Sequence, residues 1–132
     1  MHLLDTNACI RYLNDGNSYV TRKIKAVLPK SIALCDIVGM ELYYGAYRSM
    51  RQQENLEILR QLLTTFHSFP FDAASAEICG RLRAMLATTG TPIGPYDLQI
   101  AAIALANNLT LVTHNTREFS RVPGLVLEDW EI

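Results

Sequence analysis

No cysteine in this chain has a sequence partner. Cys9, Cys35 and Cys79 are odd in number, far apart and set among apolar residues, and no CxxC pair or His–Cys spacing is present. That pattern excludes a disulfide framework and gives zinc no support; it suits reduced, buried thiols in a cytoplasmic protein. No apolar run approaches the roughly 18 residues of a membrane span, so no membrane contact is expected. No signal peptide is expected either, because the first apolar run is short and meets an acid at position 5. Internal repeats and low-complexity tracts are absent. Neither sign of charge dominates: 12 Lys and Arg against 13 Asp and Glu leave a formal net charge of −1. No global basic field therefore advertises a nucleic-acid partner, although a local basic rim could be offset by clustered acids.

The chain that remains has 132 residues, of which 49% are hydrophobic, enough for one domain over 1–132 with a sizeable core. Short apolar runs alternate with helical patterns. His2–Leu4 reads as a strand and Thr6–Leu13 as a helix, followed by the turn Asn14–Asn17. Val20, Ile24, Val27 and Leu28 recur at helical spacing up to Pro29, with Arg22, Lys23, Lys25 and Lys30 on the other face. Ile32–Cys35 suits a buried parallel strand. Asp36 reads as the N-cap of a helix through about Ser49. Leu56, Leu59, Leu63 and Phe66 mark an amphipathic helix that is either core packing or a partner surface. His67–Phe71 alternates like an edge strand, where a proline is tolerated. Asp72 caps a helix that turns Ile78, Leu82 and Met85 inward and closes at Gly90. Gly94 and Pro95 suit the cap and first position of another helix, whose run Leu98–Ala106 carries no charge and should be central. A strand over Leu109–Thr113, a short turn over Arg117–Phe119 and a strand over Leu125–Leu127 complete the chain. Strands alternating with helices predict a three-layer α/β/α fold with a mostly parallel central sheet of four to five short strands.

The acids are the informative residues. Asp5 follows the first strand, where open α/β sheets bind ligands. Alone it reads first as a helix N-cap. Glu41 is the one acid between Ile37 and Tyr47, among Val38, Met40, Leu42, Tyr43 and Tyr44, with no Lys or Arg three or four residues away. Asp97 falls in the first turn of the most apolar helix, where the dipole favours an acid but an unpaired buried carboxylate is costly. Asn115 sits at the carboxyl end of the strand that precedes it. Caps have no reason to converge across the chain; ligands do. Oxygen-only donors of this kind suit a hard ion, Mg²⁺ or Mn²⁺.

Leu3-Leu4-Asp5-Thr6-Asn7, Glu41-Leu42-Tyr43-Tyr44-Gly45, the run Gly90–Asp97 and Leu111–Phe119 together resemble the PIN-domain ribonucleases. Within these, the chain is similar to the VapC-type toxins of bacterial type II toxin–antitoxin pairs, in order and over essentially its whole length. The resemblance implies a Mg²⁺-dependent endoribonuclease that cleaves RNA phosphodiesters with a metal-activated water and is neutralised by a VapB-type antitoxin. It implies Asp5 and Asp97 as metal ligands, Glu41 as the third acid and Thr6 as the hydroxyl beside the first. Asn115 matches the fourth acidic position of the wider family, a departure that lowers the site charge. Arg48, Arg51, Arg117 and Arg121 are candidates for RNA phosphates. The apolar, Tyr-rich Leu42–Tyr47 and the Leu56–Phe66 helix suggest a homodimer and an antitoxin surface.

Two other classes stay in view. Phosphotransfer enzymes of the haloacid-dehalogenase kind need an Asp-x-Asp pair, but position 7 is Asn; receivers of the response-regulator kind need a late Lys, and the last here is Lys30. The remaining alternative is a catalytically weak PIN-like binding module that acts through oligomer or antitoxin contacts.

Overall fold

The structure is a computed structural model and describes Met1–Ile132. Five parallel strands form one sheet in the order β3-β2-β1-β4-β5. They are β1 (His2–Leu4), β2 (Ile32–Cys35), β3 (His67–Phe69), β4 (Thr110–Val112) and β5 (Leu127–Glu128). The helices are α1 (Thr6–Asn14), α2 (Tyr19–Ala26), α3 (Asp36–Tyr47), α4 (Gln52–Thr65), α5 (Ala73–Thr89), α6 (Pro95–Ala106) and the single turn α7 (Thr116–Phe119). They form the outer layers of a three-layer α/β/α sandwich. Parallel pairing needs crossovers, and the intervening helices provide them while covering the sheet.

Burial on both faces explains the unbroken apolar character of the central strands. All of β2 is buried, as are Leu3 and Leu4 of β1 and Leu111 and Val112 of β4. The sheet grows outward from β1 through β2 to β3, and the chain then returns to lay β4 against the other side of β1. The order of strands thus reverses between β1 and β4. This is a topological switch point, the place where α/β sheets present ligand sites. The register pairs His2 with Thr110 and Leu4 with Val112, so the residues after both strands emerge at one edge. Asp5 N–H donates to the Val112 carbonyl at 3.1 Å and extends that pairing into the site. Against the sheet lies α6, whose Ile100, Ala101, Ala102, Ile103 and Ala104 are wholly buried.

Several local expectations need correction. Asp36 is the first residue of α3 rather than its cap: Cys35 holds the cap position without a side-chain bond, and the Asp36 carboxylate accepts from the Ser68 hydroxyl at 2.6 Å, tying α3 to β3. Met85 is exposed; α5 turns Leu82 inward as expected, with Ser75 and Leu86 buried beside it. In α4 the buried set is Leu56, Leu59 and Leu62, so most of that stripe is core and Leu63 lies at its margin. Helix α2 stops at Ala26, and Pro29 opens a separate 3₁₀ turn over Pro29–Ser31. The last strand runs Leu127–Glu128 rather than Leu125–Leu127, and Cys79 is only half-buried. Asp72 does cap α5, accepting from Ser75 N–H at 3.0 Å, and Gly90 closes that helix at φ 71°, a left-handed conformation that glycine adopts without strain.

Ile103 has no exposed surface. Ile103→Ala removes its buried methylene groups and leaves a cavity, so a loss of about 2–5 kcal/mol in unfolding free energy is expected, measured by urea denaturation.

Candidate active site

Asp5 is the N-cap of α1: one carboxylate oxygen accepts from Ala8 N–H at 2.8 Å. A cap uses one oxygen of the two, so capping and ligation are compatible. The residue is 6% exposed, which is unusual for an acid without a cation beside it. Glu41 lies in the second turn of α3. Its carboxylate accepts a 2.7 Å hydrogen bond from the Thr6 hydroxyl, the first residue of α1. Asp97 lies in the first turn of α6, with Gly94 at the cap and Pro95 at the first position, as their preferences dictate. Three helix beginnings are thus aimed at the edge where β1 and β4 end.

Glu118 joins them, an acid outside the set the sequence predicts. It lies on α7, and one carboxylate oxygen accepts from Gly94 N–H at 3.1 Å while the other accepts from the Asn115 amide at 2.8 Å. A Cβ built on Gly94 would lie 3.8 Å from Asp97 Oδ2 and 4.0 Å from Glu118 Oε1, so both acids flank that glycine. Asn115 therefore holds an acid in place; its side chain does not cap the turn that follows, and its own N–H is donated to the Thr113 hydroxyl. The signal available in the sequence was the spacing Asn115-x-x-Glu118, which one helical turn brings to the same face.

Asp5, Glu41, Asp97 and Glu118 make no salt bridge with any Lys, Arg or His. Desolvation raises the Asp5 carboxyl above its ordinary value, opposed by the Thr113 hydroxyl and the Ala8 N–H and reinforced by Glu131 and Glu41. Burial likewise pushes Asp97 up to about 6, with further contributions from Glu118, Glu41 and Asp5. The acids thus sense one another, and no protein cation relieves them. No three His, Cys, Asp or Glu side chains stand close enough to ligate one ion jointly. The donors nevertheless fit a hard cation such as Mg²⁺, which commonly takes one or two carboxylates and keeps several waters.

On the Asp5 side the centre opens into a cleft of about 530 Å³, whose walls include Asn7, Arg11, Asn14, His114 and Asn115. None of Arg48, Arg51, Arg117 and Arg121 lines it. Arg48 lies over the Tyr44 ring and donates to its hydroxyl, Arg51 faces Glu54 at 3.7 Å, and Arg121 donates to the Pro92 carbonyl. The arginine on the cleft is Arg11. A second, mostly apolar groove meets the cleft at Ile10 and Asn14; Leu13, Leu42, Ala46, Ile58 and Leu59 line it, and Glu41 stands at its wall.

Fold and site together define an α/β protein built around an acidic centre at the switch point of a parallel sheet. Its family is narrower than that class: a model of the PIN domain matches residues 2–125, and the chain belongs to the PIN-domain family. Its relatives include the tRNA(fMet)-specific endonuclease VapC of Salmonella typhimurium, 36% identical over 97% of this chain and 96% of that one. Another is ribonuclease VapC2 of Rickettsia felis, 37% identical over 99% and 98%. A chain of the DNA-bound VapBC crystal structure from Salmonella typhimurium superposes with a TM-score of 0.90 at 36% identity, covering 98% of this chain and 97% of that one. A chain of VapBC2 from Rickettsia felis, bound to a DNA fragment from the promoter, gives 0.89 at 34%, with 98% of each covered.

The raised carboxyl of Asp97 has a consequence for stability. Between the ordinary value of 3.8 and about 6, the folded chain keeps a proton that the unfolded chain has released. Without divalent ions, stability should therefore fall as pH rises through that window. Asp97→Asn should flatten the slope; thermal melts from pH 4 to 7 in EDTA check it, and an unchanged slope in the variant would contradict it.

Proposed function

We propose that the protein is a Mg²⁺-dependent endoribonuclease, the toxin of a type II toxin–antitoxin pair. The observation that carries this reading is the cluster of acids without a cationic partner at the switch point, in a chain whose full-length relatives are named VapC ribonucleases. In this reading Asp5 and Asp97 hold the ion, with Mn²⁺ able to replace it. The chemistry an ion supplies here is neutralisation of charge on the phosphate and acidification of a water. Glu41, held by the Thr6 hydroxyl, would orient a water and take its proton. Asn115 positions Glu118, which adds negative charge beside Asp97. In-line attack by water on the phosphorus would form one P–O bond and break the P–O bond opposite it, the departing ribose oxygen taking a proton from solvent, without the RNA 2′-hydroxyl.

Asp5→Asn keeps a capping oxygen for Ala8 N–H while removing the charge. The variant should fold with an unchanged or higher melting temperature and lose RNA cleavage by about a hundredfold or more, and EDTA should abolish wild-type cleavage. Full activity in either case overturns the metal-dependent reading.

The partner in this reading is a VapB-type antitoxin, in keeping with relatives solved as VapBC complexes. The apolar groove beside Glu41 supports it, since a segment seated there would reach the acidic centre. A homodimer acting in the cytoplasm completes the proposal; Tyr44, Tyr47 and Met50 leave apolar surface exposed for such contacts. No helix is long and apolar enough to cross a membrane. Ile58, 44% exposed on the groove, gives the test. Ile58→Glu should weaken co-purification with the product of a neighbouring small open reading frame and leave the melting temperature intact. A monomer in sedimentation at micromolar concentration would remove the dimer.

A further inference from the structure

The cleft beside Asp5 has the wrong charge for a phosphate pocket. Its one arginine, Arg11, is already paired with Glu131 at 3.0 Å, and Asp5, Asp15 and Glu131 outnumber it on the walls. Polynucleotide backbone would be repelled there away from an ion. What the cleft does offer is hydrogen-bonding groups for a neutral ligand. Asn7, Arg11 and Asn14 lie at helical spacing on one face of α1, and the side chains of Asn7 and Asn14 bond to nothing in the protein, while Ile10 is the only apolar side chain on the lining.

The opposite wall is tied to the end of the chain. His114, 61% exposed, is fixed to Asp129 at 2.9 Å. Asp129 and Glu131, which anchor His114 and Arg11, flank Trp130, which is buried and donates its indole N–H to Glu128 at 2.9 Å. Asp129 also accepts the Glu131 N–H at 2.9 Å. The end of the chain thus presets a guanidinium and an imidazole across a cleft of about 530 Å³, a size that takes a single nucleotide.

We propose that this cleft is a base-reading subsite that takes one unpaired purine next to the bond being cut. Arg and Asn side chains match the paired donors and acceptors on a purine's Hoogsteen edge, and an imidazole face can stack on an unpaired base. Asn14 and Arg11 read that edge, and His114 covers the ring. The inference rests on the ribonuclease reading above and names the substrate feature that the site selects.

A hairpin RNA with a randomised loop, incubated with wild-type protein and Mg²⁺, tests it by sequencing the cleaved ends. A purine should be enriched at one position flanking the cut. Asn14→Ala and Arg11→Ala should each reduce purine-over-pyrimidine discrimination there by roughly tenfold, with melting temperatures retained. Because Asn14 makes no protein hydrogen bond, its variant carries the test even if loss of the Glu131 pair unfolds the other. Binding gives a readout free of turnover: the Asp5→Asn protein in EDTA, titrated into a fluorescent copy of an enriched hairpin, should lose affinity when that purine becomes a pyrimidine, and the added Asn14→Ala change should erase the difference. Cleavage without base preference at the cut, or a preference untouched by Asn14→Ala, overturns the subsite and leaves the ribonuclease reading standing. A folded wild-type protein that cleaves no RNA with Mg²⁺ or Mn²⁺ overturns both.

Discussion

Parallel pairing of β1 with β4 is the constraint on which the rest of the molecule depends. The two strands are neighbours in the sheet and more than a hundred residues apart in the chain, and their register brings the residues after Leu4 and after Val112 to the same edge. Every element between them serves that closure. The helices cover both faces, so that a strand as apolar as Ile32–Cys35 can lie buried in the middle of the sheet. Apolar α6 fills the space under the sheet and brings its first turn, with Asp97, to the edge that carries Asp5.

The centre formed there is costly. Desolvated carboxylates that see one another raise the free energy of the folded chain unless something positive joins them. The structure contains devices that hold them regardless: Ala8 N–H on Asp5, the Thr6 hydroxyl on Glu41, and Gly94 N–H with the Asn115 amide on Glu118. Each is a hydrogen-bond donor without net charge, so it fixes geometry while leaving the negative field intact. A lysine or arginine in any of these places would have satisfied the acid and cancelled the field. Unrelieved charge of this kind, retained at the expense of stability, is common at functional sites.

The surroundings divide by polarity. Toward α4 the centre meets an apolar groove; toward the α1 face and the end of the chain it meets a cleft of amides, a guanidinium and an imidazole. Helix α1 is the ridge between them. Its Asn7 and Arg11 turn to the polar side and Leu13 to the apolar one, with Ile10 and Asn14 on the boundary. A single short helix therefore contributes the cap acid, one wall of each depression and the hydroxyl that steadies Glu41.

The fold was largely legible in the sequence because it is written in local periodicity. Buried parallel strands show as short apolar runs, α6 as an uncharged one, and Asp72, Gly90, Gly94 and Pro95 mark helix ends through the backbone preferences of those residues. The same local rules failed where side chains had long-range alternatives. Asp36 turned to Ser68, thirty-two residues away, rather than to its own helix. The choice between Met85 and Leu86, or Leu63 and Leu62, is a rotation of one residue that only the partner surface settles. At the site, Asp5, Glu41 and Asp97 could be singled out because each was an acid without local company. Glu118 carried only the weak signal of its spacing from Asn115, and it became part of the centre when α7 was laid against Gly94. The amino-acid sequence by itself determined the elements, their order and the scarcity of partners for three acids. Which fourth acid joins them, that Asn115 holds it, and that Arg11 rather than the arginines after α3 faces the cleft were decided by tertiary packing. Those facts depend on distances between segments that no local pattern encodes.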